Sequence, residues 1–202
     1  MKQGEIAGMG DKKDDIYRSA KEVFSVKGFK DTKVSDITAR AGVAVGTFYN
    51  LYSSKEELFF EIYQDENVKL KEAILEKIDF TGVPLASVME SIAFNLEGMK
   101  TNPILKEWYN PNAFKRIEKW YRMKNTKTDF ASFYGIVADF VAKWQLDGTI
   151  RSDIRPEIIL ALFHSVIYID THKDSIGLEF FPEIVQLLTE FIMKGLTPDP
   201  SA

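Results

Sequence analysis

Apolar residues recur at helical spacing along nearly the whole chain, and the places where the recurrence is cut short are the most informative. Val34, Ile37 and Ala41 follow at i, i+3 and i+7, a single stripe about two turns long. Gly42 comes next, where a helix of that length needs a left-handed residue to stop. Phe48 and Tyr52, four apart with Leu51 beside them, make the inward face of a second short helix. Val45, Gly46, Thr47, Tyr49 and Asn50 are left looking outward or along its edge. Ser54-Lys55-Glu56-Glu57 is a capping-box pattern, so a third helix begins at Lys55. Two short helices about a tight turn, the second presenting a small, uncharged face, form the layout of a helix-turn-helix DNA reader.

Beyond Lys55 the spacing predicts helices almost throughout. Leu58, Phe59, Ile62, Leu70, Ile74 and Ile78 mark one long amphipathic helix, interrupted at Asp79 to Pro84. Pro84 opens another, which ends near Asn102-Pro103. Ile104 to Met123 is aromatic and basic with a break at Asn110-Pro111. Phe133, Ile136, Val137, Phe140 and Trp144 form the apolar face of a helix from about Thr128 to Leu146, and Gly148 stops it. Pro156 and Pro182 sit where two last helices start, positions that need no amide donor. No β-type alternation of useful length and no internal repeat is found, so the expected architecture is all-α with about nine helices.

The residues from Ile16, Ala20 and Phe24 through Gly28-Phe29 and Thr32 to Lys55 and Leu58 resemble the N-terminal domain of the TetR family of bacterial transcriptional regulators. The most specific part is Ala41-Gly42-Val43-Ala44-Val45-Gly46-Thr47-Phe48-Tyr49, followed by Ser54-Lys55-Glu56-Glu57-Leu58. The resemblance implies a ligand-responsive regulator, most simply a repressor, that binds a near-palindromic operator in double-stranded DNA as a homodimer. It implies a flexible arm over 1–11, a DNA-binding domain over 12–55, an effector-binding and dimerisation domain over 56–197, and a tail over 198–202. Lys33, Ser35, Ala44, Val45, Gly46, Thr47, Tyr49, Asn50 and Lys55 form the expected DNA-binding set, with Thr47, Tyr49 and Lys55 matching positions that grip the phosphate backbone. Ala44 stands where the family usually has a capping Ser, Val45 where a polar or basic residue is common, and Tyr52 in place of the usual Phe. With such a tip, readout leans on thymine methyls and on close backbone approach at Gly46.

Composition agrees with this reading. Residues 1–55 hold ten Lys/Arg against seven Asp/Glu, whereas the remainder holds sixteen against twenty-three, so positive charge lies where phosphates would be met. The absence of cysteine removes thiolate chemistry, and His164 and His172 are too few for a metal site or an acid-base pair, so neither metal nor cofactor is expected. No apolar run is long enough to span a membrane and Met1 to Asp11 has no signal-like apolar middle, so a cytoplasmic protein is expected. An enzyme and a helical interaction module with a degenerate reader are the alternatives. The first lacks a visible catalytic constellation; the second is motivated by the Ala44-Val45 tip.

The resemblance also implies dimerisation through the last two helices, at residues such as Leu162, Ser165, Ile169, Leu188 and Phe191. A pocket for an effector of unknown identity, apolar or aromatic in character, is expected among Met89, Phe94, Trp108, Phe114, Trp120, Tyr121, Phe133, Tyr134, Phe140 and Tyr168. Any one of these can equally be ordinary core. The basic run Lys115, Arg116, Lys119, Arg122, Lys124 and Lys127 is either a solvated helix face or a place to neutralise an acidic effector.

Overall fold

A computed structural model describes residues 2–110, 113, 115–117, 119, 131–169, 176–181 and 183–198, with side chains from residue 11 onward except at 131, 132, 167, 168 and 178. Every element among them is helical. α1 spans Lys2–Asp31, α2 Val34–Ala41, α3 Val45–Leu51, α4 Lys55–Lys77 and α5 Pro84–Thr101; a 3-10 turn covers Leu105–Tyr109. α6 spans Ala131–Leu146, α7 Pro156–Ile169 and α8 Glu183–Leu196, with a further 3-10 turn at Leu178–Phe180. α1 starts at Lys2, so the segment expected as a flexible arm is helical here. No described helix is long and apolar enough to cross a membrane.

The chain divides into two compact units, residues 1–69 with 98–125, and residues 70–97 with 126–202. The boundary expected at 55/56 therefore falls inside neither a loop nor a linker, because α4 is continuous from Lys55 to Lys77.

In the first unit, Ile16, Ala20 and Phe24 of α1 are fully buried with Ile37 of α2, Phe48 of α3 and Leu58, Phe59 and Ile62 of α4, the positions at which the apolar stripes converge. Phe59 sits at the centre of an aromatic run, 5.0 Å from Phe24 edge to face, 4.7 Å from Phe29 and 6.1 Å from Tyr63. Such contacts add about 0.5–1.5 kcal/mol each beyond the area they bury.

α1 is broken at Gly28, where φ is 75° and ψ 170°, a region open essentially to glycine alone. The break frees the Phe29 amide, which donates to Glu107 Oε1 at 3.0 Å. Glu107 is buried, and its other oxygen accepts from Asn110 Nδ2 at 2.9 Å. A Cβ on residue 28 would stand 2.7 Å from Glu107 Oε1, so the carboxylate would have to shift away from the Phe29 amide, and the torsion itself demands glycine.

A second buried carboxylate joins α1, α4 and the end of α5. Glu66 accepts from Lys21 at 2.7 Å, Lys69 at 2.9 Å and Asn102 Nδ2 at 2.9 Å, while Asn102 Oδ1 accepts from the amides of Ile104 and Leu105. Burial alone would push the Glu66 carboxyl up, but the hydrogen bonds from Lys21, Lys69 and Asn102 outweigh it and hold the group down at about 2.

The second unit has its core in Ile74, Ile78, Val88, Ile92, Val141, Trp144, Ile159 and Val166, with Val185, Met193 and Leu196 of α8. α6 packs on α7, and α7 on α8. Pro84 opens α5 as expected, and Ser87 Oγ donates to Asp79 O at 2.6 Å across the preceding turn. Gly148 ends α6 at φ 70°, letting the amides of Thr149 and Ile150 reach Trp144 O. Arg151 then closes the end of α8: its amide donates to Leu196 O at 2.8 Å and its guanidinium to Gly195 O at 3.3 Å.

Two outcomes follow for stability. Gly28→Ala is expected to cost about 1–3 kcal/mol, the range for forcing a side chain into such a backbone region, read as a lower urea midpoint at unchanged slope. An unchanged midpoint would show that α1 can straighten at no cost. For Glu66, the folded value of about 2 lies below the ordinary 4.5, so its stabilisation is complete above about pH 4.5 and is lost as pH falls towards 2. Glu66→Gln should flatten the acid limb of the stability profile in that window, measured by urea titration at several pH values, and a profile parallel to the parent's would remove the assignment.

Candidate nucleic-acid interface and ligand cavity

The turn of the reader is built by α2, Gly42 and α3. Gly42 takes φ 67°, ψ 28°, its amide donates to Thr38 O, and the Val43 amide reaches the same oxygen at 3.0 Å. Asp36 secures the start of α2 by accepting from the Lys33 amide at 3.0 Å and pairing with Lys27, contacts that, Lys27 first, hold its carboxyl below the usual range. Phe48 is the fully buried pin of α3, in contact with Tyr52.

Around that pin the outward residues fall as their spacing predicts. Ala44, Val45, Gly46, Asn50 and Tyr49, the last 57% exposed, face solvent; Thr47 is half-buried, and Lys33 and Ser35 are exposed at the start of α2. Ala44 supplies no side-chain cap to α3. Gly46 lies within the helix, and a Cβ built on it meets nothing within 4 Å, as is also true of the helical Gly135 and Gly195. Nothing inside the chain requires glycine there, although glycine within a helix costs up to about 1 kcal/mol relative to alanine.

Lys55 departs from expectation. Its ammonium donates to Phe29 O at 2.8 Å, Thr32 O at 2.6 Å and Lys30 O at 3.3 Å, and lies 4.8 Å from the centre of the Phe29 ring. These are carbonyls left open where α1 ends, and a lysine that satisfies them is engaged within the fold rather than held out to a phosphate. Burial, with Arg116 adding to it, pulls its pKa down. The capping box ahead of it is real but shifted: the Glu57 amide donates to Ser54 Oγ at 3.2 Å, while the Glu57 carboxylate reaches back to the amide and hydroxyl of Ser53, one residue earlier than the pattern predicts.

The second unit holds a cavity that is open to solvent at its mouth, about 720 Å³ when that solvent is counted. Ile74, Phe80, Ile92, Val141, Trp144 and Leu160 give it an apolar wall, and Lys71, Ser91, Asn95, Tyr134 and His164 supply polar groups. Of the expected pocket residues, Phe133 and Tyr134 line it. Four others lie elsewhere. Phe140 stacks on Phe80 at 4.9 Å and packs with the core; Phe94 packs against the core beneath Lys77; Met89 is half-buried away from the lining; Trp108 belongs to the first unit, stacked on Tyr63 at 6.4 Å. Phe114, Trp120, Tyr121 and the side chain of Tyr168 lie outside the described residues. So do Arg122, Lys124, Lys127 and His172; of the basic run, Lys115, Arg116 and Lys119 are exposed in the first unit, where Arg116 pairs with Glu56. Lys71 and Asn95 carry no signal in the sequence, because a lysine within a helix pattern reads as solvated.

On α7 and α8 an apolar set remains exposed. Ile158 and Leu162 on α7, with Ser165 at the same face, and Leu187 and Phe191 on α8 are open, Phe191 at 59%. Ile169 is half-buried, and Leu188 turns inward against the core, so its neighbour Leu187 takes the outward place expected of it. Among the described residues no group of His, Asp and Glu could hold a metal.

Comparison with known proteins gives a consistent set of likenesses. The family model described as bacterial regulatory proteins, tetR family, matches residues 16–62. The HTH-type transcriptional repressor DhaR of Mycobacterium sp. is 31% identical over 157 residues, covering 71% of this chain and 72% of that protein. The uncharacterized HTH-type transcriptional regulator YdgC of Bacillus subtilis is 38% identical over 56 residues, 28% of this chain and 29% of that one, so the chain spans less than a third of that relative's length. Among solved structures, the transcriptional regulator FadR of Bacillus subtilis in complex with stearoyl-CoA has a TM-score of 0.58 at 15% identity, covering 91% of this chain and 96% of that chain, a likeness of fold.

The geometry separates two lysines that look alike in sequence. Lys55→Met should lower the thermal midpoint of the protein by several degrees, as loss of charge-assisted bonds worth about 1.5–3 kcal/mol would. Lys33→Ala should leave the midpoint within about a degree, since exposed substitutions change stability little. Equal midpoints for the two variants, by calorimetry, would refute the role given to the Lys55 ammonium.

Proposed function

Because the chain belongs to the TetR family of bacterial transcriptional regulators, we propose that it is a ligand-released repressor that binds a near-palindromic operator as a homodimer in the cytoplasm. Gly46 is the observation that carries the DNA-binding part. A helix with an exposed, uncapped tip keeps a glycine that its own fold does not need, on the face that a major groove would meet. A Cβ-free position lets backbone and base edges come close, with Val45 and Ala44 beside it suited to thymine methyls. Thr47 and Tyr49 would hold the phosphates, helped by Lys33, Ser35 and Asn50.

One such reader buries too little surface for specific affinity, so two are needed, spaced about 34 Å apart on successive grooves. The exposed residues of α7 and α8, above all Leu162, Leu187 and Phe191, support the dimer seam. The cavity of the second unit supports an effector site, and the stearoyl-CoA complex of the FadR relative is an instance of ligand binding on this fold. α4 carries Lys55 at one end and the cavity residues Lys71 and Ile74 near the other. A ligand can change operator affinity only through a difference in its affinity for the DNA-competent and the released arrangements, and α4 is the element that both would bias.

The test is fluorescence anisotropy with duplex DNA from the region upstream of the protein's own gene. Wild-type protein should bind it sequence-dependently and with strong salt dependence, and sediment as a dimer at micromolar concentration. Gly46→Ala should fold at least as stably, since alanine is the better helix former by up to about 1 kcal/mol, yet bind that DNA about tenfold or more weakly. Unchanged affinity in Gly46→Ala would remove the close approach, and no sequence-dependent binding by the wild type would favour an interaction module instead.

A further inference from the structure

The cavity of the second unit is apolar except on one side, where a lysine enters from α4. The Lys71 ammonium donates to Asn95 Oδ1 at 2.5 Å and lies 5.5 Å from the centre of the Phe133 ring. Asn95 is 2% exposed and holds its oxygen towards the ammonium from α5. Among the described lining residues there is no aspartate and no glutamate. An amide oxygen and a ring face do not neutralise a full charge, and Asn95 accounts for one of the three N–H donors of the ammonium. Burial pulls Lys71 down to about 8, still above neutral, so the group is largely charged in use. A methionine or leucine would fill the same space without that cost, because an ion without an ionic partner is the least favourable way to build an apolar wall.

Other titratable groups on the cavity set the charge that would complement it. His164 lines the cavity at its rim, where the ring is partly desolvated although the residue is exposed; that desolvation, with Lys71 adding to it, lowers its pKa, so the ring is neutral at pH 7. Tyr134, edge to face with His164 at 6.1 Å, is pushed up by burial and is also neutral. The cavity thus offers one positive charge with a neutral amide beside it, set in an apolar wall.

We propose that this cavity takes an apolar carboxylic acid, its carboxylate on the Lys71 ammonium beside Asn95 and its hydrocarbon or aromatic body against Phe80, Ile92, Val141 and Trp144. The proposal rests on the cavity being the effector site. A carboxylate matches the single charge, whereas a phosphate monoester carries about −1.5 to −2 and would bring a surplus into the apolar wall.

The experiment uses the neutral dye N-phenyl-1-naphthylamine, which brightens in apolar sites, and three competitors of equal chain length: decanoate, decan-1-ol and decyl phosphate. In wild-type protein the dye should bind, and decanoate should displace it at about tenfold lower concentration than decan-1-ol, the gain expected of a charge-assisted pair in an apolar site. Lys71→Met should abolish that preference, decanoate then displacing the dye no better than decan-1-ol does. Lys71→Gln serves the same purpose if the Met variant fails to fold by circular dichroism. Val137→Trp, which fills the cavity, should stop dye binding. Failure of the dye to bind, or binding that survives Val137→Trp, would overturn the cavity reading and the carboxylate proposal together. Dye binding that Val137→Trp abolishes, with decanoate no better than decan-1-ol or indifferent to Lys71, would leave the cavity standing and overturn the carboxylate. Decyl phosphate stronger than decanoate would overturn it as well.

Discussion

The first unit depends on how the end of α1 is closed. A helix leaves four carbonyls open at its C-terminus, and this one is also broken three residues before its end by Gly28. The break is tolerable because both kinds of loose backbone group find a charged side chain. The freed Phe29 amide goes to the buried carboxylate of Glu107, and the carbonyls of Phe29, Lys30 and Thr32 go to the ammonium of Lys55. A carboxylate thus meets a loose donor and an ammonium meets loose acceptors of neighbouring peptide units, one arriving from the 3-10 turn and the other from the start of α4. The position of α4 against α1, and with it the support beneath the reader, follows from that junction.

The second unit is organised by a tension of the opposite kind. Most of its buried surface is aliphatic and aromatic, Gly148 closes the end of α6 locally, and Arg151 closes the end of α8 from a distant part of the chain. Lys71 is the exception, an ammonium facing apolar walls with an amide for company. Glu66, by contrast, is buried with two lysines and an amide around it, and its proton affinity falls where that of an isolated buried carboxyl would rise. The two sites differ in the partners each charge has: two lysines and an amide around the buried Glu66, one amide oxygen beside the half-buried Lys71.

Much of the reader was legible in the sequence because its signals are local. Gly42, the Phe48-Tyr52 spacing and Ser54 each act within a turn of their own position, and Val45, Gly46 and Tyr49 fall outward by periodicity alone. Partners distant in sequence were not legible. Phe29 and Glu107 are separated by 78 residues and Lys21 and Glu66 by 45, and no periodicity predicts such pairs. The Lys55 position was noticed for its place at a helix start, yet its side chain turns back to α1, which only the packing of α4 reveals. The aromatic cluster failed as a guide for a similar reason: Phe140 and Trp108 are as apolar as Phe133, and whether such a ring faces a void or a neighbour depends on what the next helix brings. Lys71 is indistinguishable by sequence from Lys69, which is exposed and two residues away on the same helix.

The stacked pair Tyr63–Trp108 has a use beyond packing. Indole emission reports its surroundings, and the described indoles are divided between the units: Trp108 lies in the first and Trp144 on the cavity wall of the second. Each unit therefore carries its own optical label. The sequence holds a third tryptophan, Trp120; with Trp108 and Trp120 replaced by phenylalanine the remaining emission follows the cavity, and with Trp120 and Trp144 replaced it follows the first unit, so the two can be timed separately without any attached dye.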